Sequence, residues 1–246
     1  FEGVIKTKGE LYDYLRERKD STIFIHHDNL YLRNIAWGLN QISYGSEDGL
    51  YINGHVTGNS PYLTFEWKAG KDGEHHEVKT QLIGEYNFAN ALAAVTIGHF
   101  FDVESGKIDT ALKEYTPQNN RSQLKQTADN TLIIDAYNAN PTSMQASISN
   151  FHNMEIDNKM LILGDMRELG KDGPKEHQKI VDFLTECGFK DVMLVGEQFA
   201  AARHDFPTYP DAPAVIEALQ KNKPHGKTIL IKGSNGIKLS TVIDYL

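Results

Sequence analysis

The chain has 246 residues, 40% of them hydrophobic and 24% charged, enough for one large domain or two ordinary ones with a real core. Its formal charge of −8 argues against a general nucleic-acid binder, and no apolar run approaches the roughly 18 residues that span a bilayer. Phe1-Glu2-Gly3-Val4 does not read as a secretion signal, and a single cysteine, Cys187, cannot close an internal disulfide, so a cytoplasmic protein is expected.

Residues 9–18 set Leu11, Tyr14 and Leu15 at helical spacing, with Lys6-Thr7-Lys8 just ahead. Residues 21–25 read as a strand ending on His26-His27-Asp28-Asn29. Neighbours on a strand face opposite ways, so the two histidines are not expected to share a metal ion. Between 42 and 82 the pattern is strand, turn, strand: 50–55 and 62–67 are β-rich, 68–74 turn and 76–82 return, as in an antiparallel meander. Residues 88–101 are apolar all round, the pattern of a buried helix, with Asn87 and Asn90 on one face at its start. Residues 108–115 form a short helix and 116–120 a linker, which places a domain boundary between 117 and 118.

Beyond it a strand pair, 123–127 and 131–134, opens an alternation. Helix 142–153, strand 160–163, helix 174–187 and strand 192–195 are followed by helices 197–203 and 213–220, strand 228–231 and helix 237–245. Apolar strands alternating with helices predict an α/β, doubly wound, mostly parallel sheet. Four of its strands end on polar or glycine turns, at Asp135, at Gly164-Asp165, at Gly196-Glu197 and at Gly233-Ser234. In a parallel sheet these turns share the carboxyl edge, where such folds bind ligands. The most pointed is TLIIDAYNANPTSM, residues 131–144: an apolar strand, a carboxylate, the amides Asn138 and Asn140, then Pro141 opening a helix. Local caps would by themselves explain such a turn. Gly226-Lys227-Thr228 is no phosphate loop, because Lys221 stands where the earlier glycine belongs and a strand follows. There is no G-x-G-x-x-G fingerprint either.

The run Asp135-Ala136-Tyr137-Asn138-Ala139-Asn140-Pro141-Thr142-Ser143-Met144 closely resembles the signature of the D-alanyl-D-alanine-adding members of the Mur ligase family. Lys6-Thr7-Lys8-Gly9-Glu10, GEYNFANALAA at 84–94 and LGDMRELG at 163–170 match the same family in order, and Lys232-Gly233-Ser234 fits its last turn. The resemblance implies the later part of a central ATPase domain over 1–117, without its P-loop, and a C-terminal Rossmann-like domain over 118–246. It implies an ATP-dependent ligase of peptidoglycan precursor synthesis. The tripeptide carboxylate of UDP-N-acetylmuramoyl-tripeptide is activated as an acyl phosphate, and the amine of D-alanyl-D-alanine attacks it. Mg²⁺ neutralises the phosphates, and closure about residues 116–120 excludes water. This fragment is expected to be inactive alone, a monomer, and free of nucleic-acid and membrane partners. The remaining readings are a non-catalytic nucleotide- or partner-binding module of the same fold, or a related diaminopimelate-adding or folylpolyglutamate-type ligase. Residues 135–144 argue against the latter two.

Lys8 resembles the lysine that becomes a carbamate and a Mg²⁺ ligand. Asn87 and Asn90 resemble asparagines beside the ATP adenine, although Tyr86 stands where the family usually has histidine. Arg121 resembles an arginine that reaches the nucleotide, and a guanidinium suits phosphate. Asp135 resembles the ribose-binding aspartate; Tyr137 and Asn138 belong with the nucleotide, and Asn140 with the incoming dipeptide. Asp165, Arg167, Glu168 and Ser234 fall in turns facing the amino-acid substrate. Asn235 replaces an arginine of many relatives, and His177 matches a family histidine to which no role is given.

Overall fold

A computed structural model describes residues 2–118 and 122–246. The chain divides into two compact units, one running to residue 115 except for 82–84, the other taking 82–84 and everything from 116.

The first unit contains α1 (Glu2–Arg16), β1 (Thr22–His26), α2 (Leu30–Ile35), β2 (Asn40–Gly45), β3 (Ile52–Asn59), β4 (Tyr62–Ala69), β5 (His76–Ile83), α3 (Phe88–Phe100) and α4 (Ser105–Glu114). Its sheet runs β1-β2-β3-β4-β5, with β1, β2 and β3 parallel and β3 antiparallel to β4. The meander is thus only part of the sheet. The parallel part rests on α2 and β2, which the sequence hid: Asn40, Gln41 and Ser43 give β2 no apolar period to read.

Helix α1 starts before its predicted position and includes Lys8. It packs through Tyr12 and Leu15 onto Ile23, Ile25 and Ala36, whereas Leu11 and Tyr14 of the predicted face are exposed. Arg16 donates to the carbonyls of Ile35 and Trp37, groups that the end of α2 leaves open. Helix α3 lies against β1, β2 and β3 and buries Ala91, Leu92, Val95 and Thr96. Its other side exposes Ile97 and Phe100, so the all-round apolar run is a half-covered helix.

The centre of this unit is Trp67 on β4, 1% exposed. Its indole Nε1 donates to Asp109 Oδ1 at 2.8 Å, and the His76 ring stacks on it at 4.3 Å while reaching Asp109 Oδ2 at 2.9 Å. A buried carboxylate is tolerable here because both oxygens have donors.

The second unit contains β6 (Gln123–Gln126), β7 (Thr131–Asp135), α5 (Pro141–Asn153), β8 (Lys159–Gly164), α6 (Gly173–Glu186), β9 (Val192–Val195), α7 (Glu197–Ala201), β10 (Thr208–Tyr209), α8 (Ala212–Lys221) and β11 (Thr228–Lys232). Strand order is β10-β9-β8-β11-β7-β6; all neighbours are parallel except β6 with β7. This is the doubly wound sheet the alternation predicted. Its interior strands β7, β8, β9 and β11 are apolar almost throughout because both faces are covered, whereas the edge strands β6 and β10 are polar. Leu132, Ile134, Ile162 and Ile231 meet Val215 and Leu219 of α8 on one face. The alternate residues, Ile133, Leu161 and Leu230, point to the other. The predicted last helix is instead a 3₁₀ segment, Leu239–Tyr245, whose Leu239, Val242 and Ile243 close the α8 face.

Cys187, just after α6, is half-buried. Burial, and then the Glu186 carboxylate, push its thiol above the ordinary range. Alkylation by iodoacetamide at pH 8 is expected to run several-fold slower than for free cysteine; an equal or faster rate would contradict this environment. Among the described residues no helix is long and apolar enough to cross a membrane.

Candidate functional site

Because β7, β8, β9 and β11 run parallel, their four polar turns lie on one edge of the sheet. The turns after β8 and β11 touch closely: a Cβ on Gly233 would stand 3.0 Å from the Gly164 Cα. Ser234, 5% exposed, stitches them together. Its N–H donates to the Asp165 carbonyl at 3.2 Å and its Oγ accepts from the Arg167 N–H at 2.8 Å.

Asp165 is buried, and its carboxylate accepts from the N–H groups of Gln198 (2.9 Å) and Phe199 (3.0 Å). It thereby caps α7 from another loop, as an anion at a helix N-terminus should. Fully buried His177 holds the same loop. Its Nδ1 donates to the Gly173 carbonyl at 2.7 Å, and its Nε2 accepts from the Met166 N–H at 3.0 Å. With Nε2 an acceptor the imidazole is neutral, so the 3.5 Å approach to Asp165 is not an ion pair.

The 135–144 turn is held from three sides. Asp135 closes β7 beside Lys232, the last residue of β11, and the two form an ion pair in which Lys232 is 2% exposed. Ser147 of α5 donates to the same carboxylate oxygen at 3.1 Å. Asn138 Oδ1 accepts from the Ala139 N–H at 2.8 Å. Asn140 caps α5 in a reciprocal box with Ser143, with Pro141 in the first turn. Asn140 is thus committed to a cap, and Asn140→Ala should cost about 1 kcal/mol in chemical unfolding. No measurable loss would mean that the box is redundant. Tyr137 and Asn138 are left on the exposed side.

Beside these turns opens a cleft of about 620 Å³ lined by Arg167, Glu168, Leu169, Glu197, Gln198 and Ile237, with Asp165 at its wall. The Arg167 guanidinium lies where any side chain on Gly236 would sit. Glu168 takes a left-handed backbone (φ 69°), uncommon for a non-glycine residue. A cation and two carboxylates around an open recess suit a small zwitterion, with arginine on its carboxylate and glutamate on its ammonium.

In the first unit Lys8 is exposed in mid-α1. Asn87 occupies the N-cap position of α3 without a side-chain cap bond there; its Oδ1 accepts from Asn90 Nδ2 at 3.5 Å. His26 and His27 take different carboxylates, Asp28 at 3.5 Å and Glu47 at 3.0 Å. Arg121 and the end of the 116–120 linker lie outside the described residues. Sequence reasoning quoted Lys232 within the family's last turn but gave it no role, and it did not single out Ser147 or Gln198. Lys232 left a trace, a lysine ending the apolar strand TILIK, whereas the other two are recognisable only once the chain is folded.

Two family models match the chain: the Mur ligase middle domain over residues 1–98 and the Mur ligase glutamate ligase domain over 120–235. Proteins named UDP-N-acetylmuramoyl-tripeptide–D-alanyl-D-alanine ligase are among its relatives. That of Synechocystis is 27% identical over 92% of this chain and 50% of its own length, and that of Bacillus subtilis 27% identical over 98% and 54%. The chain therefore spans about half the length of the curated relatives it matches. A crystal structure of MurF from Acinetobacter baumannii superposes with a TM-score of 0.81 at 23% identity, covering 99% of this chain and 55% of that one. MurF from Thermotoga maritima in complex with ADP gives 0.76 at 17%, covering 93% and 53%. With both of its units matched by successive domains of one family, the chain belongs to the Mur ligases.

Proposed function

We infer that this chain is the later part of an ATP-dependent ligase that joins D-alanyl-D-alanine to the tripeptide carboxylate of UDP-N-acetylmuramoyl-tripeptide. The carrying observation is the carboxyl edge of the second unit, which bears the 135–144 turn after β7 and, on the other side of β11, a cleft with Arg167, Glu168 and Glu197. Relatives named for that reaction extend over nearly the whole chain. Residues to 117 are assigned to the middle domain and those from 118 to the C-terminal domain.

In this reading Arg167 holds the dipeptide carboxylate, and Glu168 and Glu197 draw in its ammonium end. Asp165 and Ser234 keep that wall in place. Asp135, Tyr137 and Asn138 face nucleotide, as do Asn87, Asn90 and Arg121. Family resemblance alone makes Lys8 a carbamate ligand for Mg²⁺. Among the described residues no three His, Cys, Asp or Glu side chains converge on a cation position; a Mg²⁺ carried on nucleotide phosphates would need only one or two protein ligands.

The test is amide formation by the complete protein from ATP, the UDP-linked tripeptide and D-alanyl-D-alanine, against other amino-acid acceptors. Preference for glutamate or diaminopimelate would replace this reading with a sister ligase. The 246-residue chain alone has no G-x-x-G-K-T loop. It is expected to bind ATP weakly or not at all in calorimetry, and a submicromolar Kd would contradict that.

A further inference from the structure

The most unusual group on the carboxyl edge is one that no ligand reading has used. Lys232 is 2% exposed, a depth at which lysines are found only when paired. Its ammonium has two acceptors, Asp135 Oδ2 and the Asn138 carbonyl at 3.5 Å. These belong to the first and fourth residues of the turn 135–138, so one cation ties both ends of it. Ser147 Oγ donates to the same oxygen of Asp135. Both protein donors therefore sit on Oδ2, and among the described residues no protein hydrogen bond is made to Oδ1.

Stability alone is a poor reason for this arrangement. Desolvating an ammonium and a carboxylate is costly, and apolar replacements of buried ion pairs are often as stable. The pair does something an apolar pair cannot: it fixes which carboxylate oxygen turns inward. The burial pattern agrees, with Ala136 and Ala139 buried while Tyr137 and Asn138 stay on the surface.

We propose that Lys232 is a positioning residue, which by holding Asp135 Oδ2 and the Asn138 carbonyl presents Asp135 Oδ1 and the Tyr137–Asn138 edge together to a hydroxyl-bearing ligand. It rests on the nucleotide reading above for the ligand's identity, but not for the geometry.

Two measurements on Lys232→Met separate these layers. In the 246-residue chain, amide exchange at 136–140 should quicken at least tenfold while β8 and β9 keep their protection. In the complete protein, KM for ATP should rise about tenfold with kcat changed less than threefold, and Lys232→Arg should recover part of the loss. Ser147→Ala keeps the ion pair and removes the second hold on Oδ2. It should raise KM two- to fivefold, and it serves where Lys232→Met does not fold. Uniformly faster exchange with KM unchanged in both variants would overturn the proposal and leave Lys232 a stabilising residue. Local exchange as expected in a complete protein that does not consume ATP would instead overturn the nucleotide reading.

Discussion

Gly196→Val is expected to lower the unfolding free energy by about 3–5 kcal/mol. Gly196 adopts φ 121° and ψ 168°, a region essentially reserved for glycine, where another residue costs about 1–3 kcal/mol. The substitution does more than strain the backbone. A Cβ at this position would collide with the Asp165 carboxylate, which holds the first N–H groups of α7. Displacing it forfeits hydrogen bonds to a charged group, about 1.5–3 kcal/mol. Gly196, Glu197 and Gln198 line the cleft, so acceptor binding should weaken as well. Urea unfolding of the whole chain measures the effect. A loss under about 1 kcal/mol would show that the turn can rearrange and that Asp165 is not needed there.

In the first unit the largest loss is expected from Trp67→Ala, about 3–5 kcal/mol for an indole removed from a closed core. His76 would lose its stacking surface and Asp109 one of its two donors. Trp67→Phe isolates the polar part, since it keeps most of the volume and leaves Asp109 short of a donor. It should cost about 1–3 kcal/mol. If Trp67→Phe proved as damaging as Trp67→Ala, the hydrogen bond to Asp109 and not the packing would be the source of stability.

Much of the fold could be read in advance because its signals are local. The strands β7, β8, β9 and β11 are short apolar runs bounded by glycine and polar turns, and parallel sheets require that pattern of every interior strand. Asn140-Pro141-Thr142-Ser143 announces a helix start wherever it occurs, and the capping box is there. The first unit was harder. Strand β2 is polar at Asn40, Gln41 and Ser43, so its pairing with β1 and β3 comes from neighbours far along the chain. In α1 the choice of Tyr12 over Tyr14 as the inward side chain depends on where β1 lies.

The candidate site divides the same way. The order of residues alone tells that four polar turns end apolar strands, that one carries Asp135, Asn138 and Asn140, and that another carries Asp165, Arg167 and Glu168. Those facts follow from residue type and spacing, which need no partner. What each side chain is committed to depends on contacts made across the folded chain. Asp165 caps a helix through N–H groups 33 and 34 residues away, and Lys232, 97 residues from Asp135, neutralises its charge in the interior. A carboxylate cannot reveal from its own neighbourhood whether its charge is met by a ligand, a backbone N–H or a buried ammonium. That depends on which strand pairs beside it, and here β11 returns between β8 and β7 to place Lys232 there.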